Sequence, residues 1–235
     1  MNLRFDNITF AYPNNVILNN LSVRFASGEL VCVLGRNGSG KTTLMQLISG
    51  RLLATSGEIR SSESSQLLSH NKSLRHYFAI LPQGIQDPPY LTVYEILELA
   101  QFRPEYRHPW KLGVTDNEPI LNAISSCEIG DFVSRDFGQL SGGEKQRVWL
   151  AFCLIQNKPF MLLDESLHAL DFIAKERAFL MLSTLAREGT GIILSTHDLA
   201  LAEKYADRII YLENGGLLHD GPADIDLKKL VQSNS

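Results

Sequence analysis

The chain has 235 residues, enough to bury a sizeable core in one large domain or two small ones. Its 44% hydrophobic and 20% charged residues are those of an ordinary globular protein and exclude a disordered or fibrous chain. A formal net charge of -4 argues against nucleic acid as the main partner, because gripping a phosphate backbone needs a basic footprint.

The opening segment MNLRFDNITF lacks the charged-then-apolar pattern of a secretion signal, and no stretch approaches the roughly 20 apolar residues that span a bilayer. A cytoplasmic location is therefore expected. The first strong element is ELVCVLG, a short and continuously apolar run of the kind found in strands buried on both faces. It leads directly into GRNGSGKTT, Gly35 to Thr43, and then into LMQLISG, whose Leu44, Leu47 and Ile48 fall on one helical face. Strand, glycine loop and helix in that order complete the phosphate-loop pattern G-x-x-x-x-G-K-[ST]. Gly35, Gly38 and Gly40 let the backbone wrap an oxyanion so that successive N–H groups and the helix's positive end point at phosphate. Lys41 adds a charge for the β- and γ-phosphates, and the Thr42 hydroxyl is placed to ligate Mg²⁺. A nucleoside triphosphate is expected here.

Residues 61–73, SSESSQLLSHNKS, are polar and serine-rich and read as a surface hairpin or loop. From about residue 87 to 157 the pattern is helical and poor in strands. Helix starts are marked by a hydroxyl residue with a glutamate three positions on: Thr92 with Glu95, Thr115 with Glu118, and Ser141 with Glu144. The last of these, LSGGEKQ, is unusual. Its cap Ser141 is followed by Gly142 and Gly143 inside the first helical turn, where each glycine costs about 1 kcal/mol relative to alanine. Bare backbone at a helix's positive end is an anion site, so this second helix also aims at a phosphate.

Three further apolar runs, FMLLDE, GIILSTH and RIIYLENG, read as buried strands, and with the first they favour a parallel sheet covered by helices. The tail DLKKLVQSNS reads as a short fraying helix. Cys32, Cys127 and Cys153 are an odd and unpatterned set, expected as reduced thiols in or near the core with no zinc site.

Taken together, the phosphate loop, LSGGEKQ, FMLLDE, Gln83 in LPQG, His197 in STHD and Tyr12 in FAYPNN resemble, in order and approximate spacing, the nucleotide-binding subunits of ATP-binding cassette (ABC) transporters. The resemblance runs over nearly the whole chain. It implies an α/β fold: a RecA-like P-loop core with a mostly parallel sheet, a small antiparallel β subdomain at the N-terminus, and an inserted α-helical subdomain. The expected division places core and β subdomain at about 1–86 and 158–235, with the helical subdomain at about 87–157.

The resemblance also implies roles. The cofactors are ATP and Mg²⁺, with Gly35, Asn37, Gly38, Ser39, Gly40, Lys41, Thr42 and Thr43 cradling the phosphates. Tyr12 is either an exposed strand aromatic or the ring that stacks on adenine. Asp164, at a strand's carboxyl end where ligands bind in open α/β sheets, holds Mg²⁺ opposite Thr42. Glu165 is the general base that takes a proton from the attacking water. His197 contacts the γ-phosphate, and Gln83 senses the metal or water and couples to the membrane partner. Ser141, Gly142 and Gly143 complete the site of a second copy across a head-to-tail dimer, with Asp171 at the seam.

Residues 90–110, YLTVYEILELAQFRPEYRHPW, are similar to the permease-contacting segment of subunits that import iron-siderophores, haem or cobalamin. The expected partners are thus a second copy, a separate polytopic permease and, indirectly, a periplasmic or surface substrate-binding protein, with the chain on the cytoplasmic face of the inner membrane. The alternatives are another small-solute or lipid ABC system, or a soluble ABC ATPase of the iron–sulfur assembly type. One stretch departs from the family. After Glu165 come Ser166, Leu167 and His168, where most members have proline, a threonine and a small polar residue. The missing proline leaves the turn less restricted in φ, and His168 inherits no catalytic role, reading instead as a residue near the dimer seam.

Overall fold

The computed structural model describes residues 1–62, 64–67, 74, 76–101 and 117–223. Its first sheet is antiparallel. The hairpin of β1 (Asn2–Tyr12) and β2 (Asn15–Ala26) is extended by β4 (Ser56–Ser61) and β5 (Ser64–Leu67) in the order β2-β1-β4-β5. Along β1 the apolar side chains alternate inward at Leu3 and Phe5, lose phase at a bulge, and resume at Ile8 and Phe10. The bulge turns on Asn7, which has φ 52°, and the extra residue it inserts returns Ile8 to the buried face. The hairpin of β4 and β5 supplies the start of the polar segment 61–73; the remainder of that segment lies outside the described residues.

The second sheet has the order β10-β9-β3-β8-β7-β6, built from β3 (Leu30–Gly35), β6 (Phe78–Leu81), β7 (Phe160–Asp164), β8 (Gly191–Ser195), β9 (Arg208–Glu213) and β10 (Gly216–Pro222). All neighbours are parallel except β9 and β10. The four apolar runs read from the sequence are β3, β7, β8 and β9. Each is buried on both faces because the two sides of this sheet carry different cores. Val31 and Val33 pack with helix α1 (Lys41–Ile48) and the antiparallel sheet, while Leu30, Cys32 and Leu34 pack with the remaining helices. Those helices are α2 (Val93–Ala100), α3 (Glu118–Ser126), α4 (Gly142–Ile155), α5 (Phe172–Arg187) and α6 (Leu199–Tyr205). Between β6 and β7 the described residues hold helices and no strand. The α/β architecture is thus the expected one, with helices inserted into a mostly parallel core.

Both outer capping boxes form. Thr92 accepts from the Glu95 N–H at 3.3 Å while Glu95 accepts from the Thr92 N–H at 2.8 Å, and Ser141 and Glu144 do the same at 3.3 and 2.7 Å. α3 opens at Glu118 with Asn117 at its cap and Pro119 in the first turn, where a residue without an N–H costs nothing; Thr115 lies outside the described residues, as does the tail from 224 onward. Cys32, Cys127 and Cys153 are buried and unbonded, and burial raises all three thiols, to about 12 for Cys127 and Cys153. They are neutral core residues, as expected.

Gly191 opens β8 with no space for a side chain: a Cβ there would lie 2.3 Å from Cδ1 of Phe160 and 2.8 Å from the Ala26 carbonyl oxygen. Gly191→Ala should destabilise the chain by about 1 to 3 kcal/mol by overpacking, which urea denaturation would show as a lower midpoint with an unchanged slope; an unchanged midpoint would mean that the Phe160 ring yields freely.

Candidate functional site

Four parallel strands end at one edge of the sheet in the order β3-β8-β7-β6. The turns that follow carry, in that order, the phosphate loop, His197, the pair Asp164–Glu165 and Gln83. Sheet topology alone therefore lines up residues that are more than 160 positions apart in the chain, at the edge where open α/β sheets bind ligands.

The loop leaves β3 at Gly35, whose φ of 150° no L-residue readily adopts and whose absent Cβ would sit 2.4 Å from the Leu212 carbonyl oxygen. It closes at Gly40, the cap of α1, at φ 103° with Leu18 of β2 pressed against it. Asn37 and Gly38 at the crest and Thr42 in the first turn of α1 are exposed, and Thr43 is half-buried. Lys41 is buried; its Nζ donates to the carbonyl oxygens of Gly35 at 2.8 Å and Arg36 at 3.2 Å. Burial pulls the Lys41 pKa down, against the opposing pull of Glu165 and Asp164. The Ser39 hydroxyl is buried with no hydrogen-bond partner, an unsatisfied donor inside the glycine-rich loop.

The acids occupy the end of β7. Asp164 is buried and its Oδ1 accepts from the Ser195 hydroxyl at 2.6 Å; burial raises its pKa, while that hydrogen bond lowers it. The same Ser195 oxygen accepts from the Glu165 N–H at 2.9 Å. Glu165 takes a left-handed φ of 48°, strained for a residue with a side chain. One carboxylate oxygen lies 3.0 Å from His197 Nε2 and the other accepts from Gln83 Nε2 at 2.9 Å. Gln83, Glu165 and His197 thus form one hydrogen-bonded constellation.

Ser195 was missed from the sequence, where it reads only as the small residue two places before His197. It is 1% exposed and serves both acids at once. Ser195→Ala would orphan an Asp164 oxygen, and an expected loss of about 1 to 3 kcal/mol follows from the unsatisfied buried group. Urea unfolding measures it, and a change below about 0.5 kcal/mol would contradict the double role.

The donors fit the groups that the phosphate-loop pattern implies. A buried ammonium, an orphaned hydroxyl and bare N–H groups suit a polyphosphate, and an exposed hydroxyl at Thr42 with the Asp164 carboxylate offers the oxygen ligands that Mg²⁺ takes.

The remaining candidates lie elsewhere. Tyr12 ends β1, 51% exposed, with its ring edge-on to Phe10 at 5.1 Å; since Ile17 and Leu18 run against Gly40, this hairpin end lies on the side of the phosphate loop. Ser141, Gly142, Gly143 and Asp171 line a separate cavity of about 740 Å³ to which no phosphate-loop residue contributes. Asp171 Oδ1 accepts from the Ala174 N–H at 2.8 Å and so caps α5. The two glycines are not demanded by packing, since a Cβ at either would stand at an ordinary 3.5 Å from Ala169. Two ties reach back from α4. Lys145 pairs with Asp87 at 2.5 Å, in the segment after Gln83, and Gln146 Oε1 accepts from the Ala169 N–H at 3.1 Å.

Comparison with known proteins identifies the family. The family described as ABC transporter matches residues 18–168, more than half of the chain. The petrobactin import ATP-binding protein FpuD of Bacillus anthracis is 31% identical over 96% of this chain and 83% of its own length. The hemin import ATP-binding protein HmuV of Escherichia coli O157:H7 is 32% identical over 93% and 86%. Among solved structures, the dimeric ATP-binding cassette MJ0796 bound to ADP and Pi, 26% identical, superposes with a TM-score of 0.79 over 95% of this chain and 99% of that one.

Proposed function

The chain belongs to the ABC transporter family, and we propose that it is the ATP-hydrolysing subunit of an importer for a metal chelate of the iron-siderophore or haem kind. The observation that carries the chemistry is Glu165, held at both carboxylate oxygens by His197 and Gln83 at the sheet edge that also bears the phosphate loop. The cargo class rests on the relatives, which are named for petrobactin and hemin import.

In this reading the loop from Gly35 to Thr43 binds the triphosphate. Lys41 exchanges its two loop carbonyls for phosphate oxygens, and Ser39 finds the acceptor it lacks. Thr42 and Asp164, with Gln83, would hold Mg²⁺, which when bound neutralises phosphate charge. Glu165 accepts a proton from the attacking water, and His197 and Gln83 fix the direction in which it accepts. Tyr12 stacks on the base. Residues of about 1–86 and 158–235 form the catalytic unit, and those of about 87–157 the helical subdomain.

The site is completed by a second copy. Gly142 and Gly143 cost helix stability yet serve no packing need within the chain, so the bare positive end of α4 faces a phosphate held elsewhere. A head-to-tail pair sets Ser141 and Gly143 of one copy over the loop of the other, with Asp171 between the sites. No described helix is long and apolar enough to cross a membrane. In this reading translocation belongs to a separate permease, with the chain on the cytoplasmic face of the inner membrane. Tyr90, 96% exposed at a left-handed φ of 60°, starts the surface offered to that permease. The pair Lys145–Asp87 links this surface to α4. Part of the importer-like segment, 102–110, lies outside the described residues.

Affinity purification of the tagged chain from native membranes tests the assignment. A polytopic permease should co-purify, and a chelate-loaded binding protein should stimulate ATP hydrolysis by the complex. A chain that retains no membrane protein and hydrolyses ATP at a rate indifferent to chelate would overturn it.

A further inference from the structure

Glu165 is held in a backbone conformation that is strained for a residue with a side chain, φ 48°, and the residue after it is Ser166 rather than a ring that would stiffen the turn. The structure shows what takes over. His168 Nδ1 lies 2.7 Å from the Glu165 carbonyl oxygen, much closer than the backbone N–H of His168, which reaches the same oxygen at 3.4 Å. A carbonyl oxygen only accepts, so Nδ1 carries the proton and donates. That assignment also orders its neighbour. Gln146 Nε2, 3.3 Å from Nδ1, is itself a donor, so Gln146 holds the turn through its Oε1 on the Ala169 N–H at 3.1 Å. The turn is thereby gripped at both ends, by an imidazole on the carbonyl of Glu165 and by an amide from α4 on the N–H of Ala169. His168 and His197 also line one small cavity of about 50 Å³ beside Glu165.

We propose that His168 is a positioning residue for hydrolysis: its Nδ1–H clamps the Glu165 carbonyl and fixes the turn that aims the Glu165 carboxylate at the attacking water. This rests on the assignment of Glu165 as base. The clamp explains why a histidine stands where the family has a small polar residue in a chain that also lacks the proline. The Ser166 hydroxyl is buried without a partner and Leu167 is buried in the core, so neither of them restrains Glu165 by hydrogen bonding.

Steady-state hydrolysis of Mg-ATP by the full chain, measured beside thermal denaturation, tests the clamp. H168A should lower kcat by about 10- to 100-fold, the scale of a catalytic group misplaced by about 1 Å, with KM for ATP and Tm close to those of the parent. H168N, whose amide N–H can take the place of Nδ1–H, should recover kcat to within about threefold of the parent. Equal kcat in H168A and the parent, while E165Q is inactive, would overturn the clamp and leave the base assignment intact. A deficit in H168N as deep as in H168A would also overturn it. Near-normal turnover in E165Q would instead remove the reading on which the clamp rests.

Discussion

Glu165→Gln is expected to lose about 10² to 10⁴ in ATP turnover, roughly 3 to 5 kcal/mol of barrier, while still binding ATP. The substitution is nearly isosteric, so the turn at φ 48° and the core around Leu167 need not move. What it removes is the ability to accept a proton. The amide retains one oxygen, which can still meet His197 or Gln83, so those side chains stay close to their places. Because the phosphate loop is untouched, bound ATP should accumulate and hold two copies together. Size-exclusion chromatography with ATP would then show a stable dimer, and rapid filtration would show retained nucleotide. Near-normal hydrolysis would remove Glu165 as the base.

Lys41→Ala acts earlier, on binding. The Lys41 ammonium is buried, bonded to two loop carbonyls and depressed in pKa by that burial. Such a charge is costly to keep without an anion. Deleting it removes charge-assisted hydrogen bonds of about 1.5 to 3 kcal/mol, equivalent to roughly 10- to 100-fold in Kd for ATP. Titration with a fluorescent ATP analogue reads this directly, and an unchanged Kd would contradict the phosphate-loop assignment. The two variants separate cleanly: one binds without turning over, the other fails to bind.

Much of this site could be read from local pattern. The phosphate loop is contiguous, its strand and helix flank it, and the two acids end an apolar run at a position that makes sense only at a sheet edge. Capping at Thr92 and Ser141 is likewise local chemistry. What escaped the sequence depends on pairs distant along the chain. Ser195 meets Asp164 because β7 and β8 run parallel in register, Asp164 beside Ser195, and nothing in the run GIILSTH marks that serine. β6 was passed over because FAIL is only four residues long and carries a single β-branched side chain. Lys145 with Asp87, and Gln146 with Ala169, join segments 58 and 23 positions apart, separations that carry no periodic signal. The contact of His168 with the Glu165 carbonyl follows from the shape of one strained turn, which no residue pattern encodes.

The central claim is that ATP hydrolysis at Glu165 drives a metal chelate across a membrane. The direct test is uptake of a radiolabelled ferric siderophore or haem into proteoliposomes that hold the chain with its co-purified permease, with ATP on the side of this subunit and the binding protein on the other. Uptake that requires ATP and disappears with Glu165→Gln is the predicted result. ATP hydrolysis that proceeds with no chelate entering, or uptake that survives Glu165→Gln, would contradict the account.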